Sequence, residues 1–104
     1  MNNSINLQEI ADNLGFDLSD VEMLLNMFIE ATNESLDNLS NAIVANNYSD
    51  ISAHAHAIKG SAANIMLNDI TSIAEQIELN ANKKINIDYT TKCNELKQLV
   101  DSLI

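Results

Sequence analysis

The chain has no proline, no tryptophan and no arginine, and only two glycines and one cysteine in 104 residues. Each shortage excludes something. Folds built on β-hairpins draw their turns from glycine and proline, so this composition argues against them. A lone cysteine excludes an internal disulfide and fits a reducing compartment. Five lysines against fifteen acidic residues leave a formal charge of −10. Nucleic acid is gripped by Lys and Arg on its phosphates, and anionic membrane surfaces are gripped the same way, so both are disfavoured as partners. No run approaches the roughly 18 apolar residues of a membrane span. The opening MNNSINLQEI has neither the basic region nor the apolar stretch of a secretory signal, so the expected location is the cytoplasm.

What is present points to helices. Hydrophobic residues make up 46% of the chain, enough to fold without help and too much for disorder. Leu, Ala, Ile, Glu and Asn dominate, and the length suits one domain over residues 1–104. No linker, repeat or low-complexity tract interrupts it. Five helical segments are expected. The first is short, about Leu7 to Asn13, with Asn6 as its cap, Glu9 in the capping-box position and Gly15 as its stop. The second opens on Ser19-Asp20-Val21-Glu22, a capping-box pattern, with Leu18 and Met23 placed for a hydrophobic staple. Its apolar face is Val21, Leu25, Phe28, Thr32, Leu36, Leu39 and Ile43, and Asn46 and Asn47 look like its end.

The third segment runs from about Ser49 to Ile65 or Met66, with Ile51, Ala55, Ile58, Ala62 and Ile65 on one face. The fourth begins near Asn68 or Asp69, carries Ile70, Ile73, Ala74, Ile77 and Ala81, and stops near Asn82-Lys83-Lys84. The fifth begins near Asp88 and carries Tyr89, Cys93, Leu96, Val100 and Leu103. Amphipathic helices joined by short loops predict an all-α, antiparallel up-and-down four-helix bundle, with the short first helix capping one end.

One stretch of the third segment does not read as packing alone: His54, His56, Lys59 and Gly60 in AHAHAIKGSAANI. At about 100° per residue, His56 points roughly 140° from the centre of the apolar stripe, and His54 only about 60°. His56 therefore faces solvent, and His54 sits at the core boundary. Around His56 the helix offers Ser52 and Ala53 one turn before, Lys59 and Gly60 one turn after, and Ala63 beyond. Nothing bulky covers the ring. A mid-helix glycine costs about 1 kcal/mol relative to alanine, so Gly60 needs a reason. Beside an exposed histidine it gives room for another molecule to come close. A neutral imidazole nitrogen is a good nucleophile near neutral pH. Lys59 is a compact cation suited to a phosphoryl group. Phosphoryl transfer asks mainly for positioning and charge stabilisation. The set is too small for hydrolysis or ATP use, and enough to hold a phosphoryl group that another protein delivers and removes.

The order His56-Ala57-Ile58-Lys59-Gly60-Ser61-Ala62 resembles the motif of the histidine-containing phosphotransfer (HPt) domain of multistep two-component signalling. Leu24 to Phe28 is similar to that family's apolar run on its second helix, and Ile73 to Glu78 to its fourth-helix pattern. One departure stands out: many members have glycine where this chain has Met66, at the turn after the third helix. The resemblance implies a phosphorelay intermediate and not an enzyme with kinase activity of its own. His56 would accept a phosphoryl group through Nε2 from the phosphoaspartate of a response-regulator receiver domain and pass it reversibly to another receiver aspartate. Lys59 would neutralise charge, Gly60 would give clearance, and Glu78 and Asn82 on the fourth helix would orient the imidazole. Ser52, Ala53 and Ala63 would line the docking face, joined by apolar contacts from the second helix. No cofactor is implied beyond Mg²⁺ on the partner receiver. The chain is expected to act as a monomer, with a hybrid sensor histidine kinase as a further possible partner. The alternative is a bundle of the same kind that binds a receiver without exchanging phosphoryl groups.

Other residues read as structure. His54 and His56 point about 200° apart on a helix and do not form a metal pair. Cys93, Phe28 and the methionines read as packing, and the scattered Asp and Glu as solvated faces. No P-loop, paired-carboxylate site or kinase-like glycine-rich segment is present.

Overall fold

A computed structural model describes residues 6–103; residues 1–5 and 104 of the expected domain lie outside the described residues. The described chain forms α1 (Leu7–Leu14), α2 (Leu18–Val44), α3 (Tyr48–Asn64), α4 (Asn68–Asn82) and α5 (Tyr89–Asp101). Helix α2 packs against α3 and α5, α4 packs against the same two, and the diagonal pairs do not meet. That ring, with short connections between successive helices, is the up-and-down four-helix bundle. At about 1.5 Å per residue the 27 residues of α2 account for most of the 42 Å long axis. Helix α1 lies on α2 and buries Ile10 and Ala11 at one end.

The period of the apolar residues explains the core. The stripe on α3 (Ile51, Ala55, Ile58, Ala62, Ile65) is buried throughout, and so are Ile70, Ala74, Ile77 and Ala81 on α4. Alanines alternate with isoleucines along both helices. Small side chains let two helices approach closely, and α3 with α4 is the most extensive pairing of the bundle. On α2 the buried set ends on Ala42, and Ile43, expected on the stripe, is only partly covered. Ile73 and Leu103 likewise pack at the margin of the core and not within it.

The start of α2 differs from expectation. The cap is Asp17, whose backbone N–H donates to the Asp20 carboxylate, so the Ser19 to Glu22 pattern is not the box in use. Leu18 thus opens the helix instead of preceding its cap. It and Met23 stay 42% and 58% exposed, and the staple does not form. Asn47 caps α3 by accepting from the Asp50 N–H, and Asp88 caps α5 by accepting from the Thr91 N–H. Each side chain satisfies a donor that the first turn leaves without a helical partner.

Four helices end in the same way. After α2, the N–H of Asn46 donates to Ile43 and that of Asn47 to Ala42. After α3, Met66 donates to Ala63 and Leu67 to Ala62; after α4, Lys84 donates to Ala81 and Ile85 to Asn80. These are Schellman closures, which require a left-handed residue. Gly15 supplies it after α1 at φ 72°, but Asn46, Met66 and Lys84 supply the others at φ 55°, 60° and 57°. Met66 therefore adopts the conformation that glycine takes without cost, and the turn keeps its shape.

Candidate functional site

The seam between α3 and α4 holds the polar groups singled out in the sequence. The helices run antiparallel, so stepping back one turn on α3 steps forward one turn on α4. Ser52 meets Asn82, and His56 meets Glu78. The His56 ring is 67% exposed, while Glu78 beneath it is only 12% exposed. Nδ1 of His56 lies 2.7 Å from Oε2 of Glu78, and Nζ of Lys59 lies 2.6 Å from Oε1. One carboxylate thus serves both residues of the motif.

Electrostatics follow from that arrangement. Burial pushes the Glu78 carboxyl up, but the bonds from Lys59 and His56 outweigh it and hold it below the ordinary carboxylate value. The hydrogen bond to Glu78 likewise holds the Lys59 ammonium above its ordinary value, against desolvation. An ionised carboxylate only accepts, so the neutral imidazole must carry its proton on Nδ1. The tautomer is set by this partner. Nε2 is then the nitrogen with the free lone pair.

Around the ring the surface is flat and small. Ala53, Gly60 and Ala63 are exposed. A Cβ built on Gly60 would meet nothing within 4 Å, so packing within the chain does not demand glycine there. Ser52 is engaged with Asn82, and Asn82 therefore braces the seam one turn away instead of touching the imidazole. Of the two α4 residues expected to orient the ring, only Glu78 reaches it. The Lys59–Glu78 ion pair is an addition to the sequence analysis, which gives Lys59 a charge-neutralising role and names no partner for it. Its only signal is the helical spacing that puts His56 and Lys59 on the flank facing α4. His54 is half-buried, and Cys93 is buried, with its sulfur 3.5 Å from the Ser40 hydroxyl. A cavity of about 230 Å³ lies at the end of the bundle among Ile10, Met66, Leu67 and Leu99, lined by none of the residues around His56.

The described chain is an all-α bundle that presents one accessible histidine, bonded through Nδ1, on an open helical face. The comparison with protein families agrees. The model of the Hpt domain matches residues 23–104, and the chain belongs to that family. Hpt domains are phosphotransfer carriers of two-component phosphorelays and interact with response-regulator receiver domains. No curated protein and no solved structure matches the chain. Among the described residues no helix is long and apolar enough to cross a membrane.

Proposed function

We propose that His56 is the phosphoryl-accepting residue, and that the chain shuttles a phosphoryl group between receiver domains as a monomer in the cytoplasm. The observation that carries this is the Nδ1 to Glu78 bond, which leaves Nε2 as the free nucleophile beside open space at Gly60. The Nε2 lone pair attacks the phosphorus of a receiver phosphoaspartate. The bond from phosphorus to the aspartyl oxygen breaks, and its electrons return to the carboxylate. In-line approach needs the receiver to come close over the helix, which the small residues Ala53, Gly60 and Ala63 permit. Lys59, at the rim of the site, offsets the incoming charge, and Mg²⁺ held by the receiver offsets the rest. Ser52 and Asn82 keep α3 and α4 in register beneath the docking face.

The test is a transfer assay. A receiver domain is phosphorylated with a small-molecule phosphodonor and Mg²⁺, this chain is added, and label is followed onto it. Acid-labile, base-stable label that is absent in His56→Gln is expected. Binding of the phosphorylated receiver with no label transferred would replace this reading with the interaction-only one.

A further inference from the structure

We infer that Glu78 holds the proton on Nδ1 after the phosphoryl group has reached Nε2, and so keeps the phosphorylated ring cationic and ready to give the group up. The inference rests on the reading of His56 as the acceptor and adds to it what determines the lifetime of the product. Before attack, Nδ1–H donates to Glu78 and Nε2 holds the lone pair. When that lone pair forms the N–P bond and the P–O bond of the donor breaks, no proton has to leave the ring. The product carries hydrogen on Nδ1, phosphorus on Nε2 and one positive charge.

Two fates are then open. If the Nδ1 proton is lost, the phosphoryl group can depart only from a ring that leaves as imidazolate, a poor leaving group. If it is retained, the ring leaves as neutral imidazole, which is a good one. In this site the proton points at a carboxylate oxygen 2.7 Å away that is largely shielded from water. The other oxygen of the same carboxylate is held by Lys59, which keeps Glu78 ionised and in place. The charged groups facing the ring are Lys59 on its own helix and Glu78 on α4, with Glu75 one turn earlier acting on Lys59. Helix α2, on the other flank of α3, forms no hydrogen bond or ion pair with the ring among the described residues. The contact nearest to Nδ1 is thus a carboxylate oxygen, placed to accept from its N–H. Glu78 acts through His56 and is a positioning residue in this account. A carrier that must both accept and donate benefits from a ring that is never deprotonated between the two steps.

The experiment needs no receiver. In a His54→Gln background, so that His56 is the sole histidine, the chain is phosphorylated chemically with phosphoramidate. Decay of the phosphohistidine ³¹P signal is then followed across neutral and alkaline pH. The rapid decay of the protonated form is expected to persist to higher pH in the parent than in Glu78→Gln. Glutamine keeps the size and an acceptor oxygen but not the charge. At mildly alkaline pH the Gln variant should hold its phosphoryl group about tenfold longer, since one unit of displacement is a factor of ten. Glu75→Gln removes a charge nearby without touching the ring and should leave the profile in place. In the parent, ¹⁵N signals of the phosphorylated ring should show Nδ1 protonated above neutral pH. Coincident profiles for the parent and Glu78→Gln, an equal displacement from Glu75→Gln, or an unprotonated Nδ1 would each overturn the inference. A receiver that fails to phosphorylate His56 would count against the relay reading alone.

Discussion

Gly60 separates the needs of the fold from those of the site. Its missing side chain leaves open space that no other part of the chain fills. Gly60→Ala should therefore stabilise the helix, by about 1 kcal/mol in a denaturant titration. On the proposed function the same methyl group stands in the receiver's path, so the rate of phosphoryl transfer should fall at least about tenfold, equivalent to ~1.4 kcal/mol on the barrier. Stability and activity moving in opposite directions is the signature. A variant that transfers at the parental rate would remove Gly60 from the site. His56, Lys59 and Gly60 were legible in the sequence because one helical turn brings them together and the family motif repeats their order. The role of Glu78 was legible only through the resemblance. Which residue of α4 lies under which residue of α3 depends on register between helices, and periodicity within one helix does not set it.

At the scale of the elements, the seam and the turns make separate predictions. Glu78 is held below its ordinary value, so its contribution to stability is present above the unfolded-state value and is lost as pH falls through the lower folded one. Lys59 is raised, so its contribution is present below the unfolded-state value and is lost as pH climbs through the higher folded one. Hydrogen-exchange protection along α3 and α4, corrected for the intrinsic exchange rate, should therefore fall at acid pH in the parent, below the ordinary carboxylate range, and change less in Glu78→Gln. An acid limb unaltered by that substitution would show that the pair does not hold the seam. Among the turns, Lys84 is exposed and left-handed at φ 57°. Lys84→Gly should raise stability by about 1 kcal/mol by relieving that conformation. Met66→Gly should give less, because the Met66 side chain also packs against the core. These closures were hard to read in a chain with two glycines. The stops after α2, α3 and α4 fall where the sequence places them, but the left-handed residue is marked only after α2, where asparagine tolerates that region; methionine and lysine carry no such mark. The start of α2 was misplaced for a related reason. Asp17 and Ser19 are both good caps, each followed by an acid three residues later, and local pattern does not choose between them.

For the whole molecule, the bundle was legible from the apolar stripes, since burial follows them almost residue for residue. Ile58 is 1% exposed at the centre of α3, on the side away from solvent. Ile58→Ala should cost about 2–5 kcal/mol and weaken the whole bundle cooperatively. His56→Gln, on the exposed side of the same helix, should stay within about 0.5 kcal/mol of the parent. Charge is distributed unevenly: every lysine lies at or beyond Lys59, so α1 and α2 carry carboxylates with no cation among them. Such an excess repels itself, and added salt screens it. The thermal midpoint should rise with ionic strength, and a fall would mean that ion pairs outweigh the repulsion.

On the proposed function, the phosphoryl group is received by Nε2 of His56, the nitrogen that the Nδ1–Glu78 bond leaves free. The most direct test is to phosphorylate the chain from a receiver domain and identify the linked atom by ³¹P and ¹⁵N NMR of the intact product. A phosphoryl group on Nε2 of His56, with hydrogen retained on Nδ1, is the result the structure predicts. A phosphoryl group on Nδ1, or on His54, would contradict it.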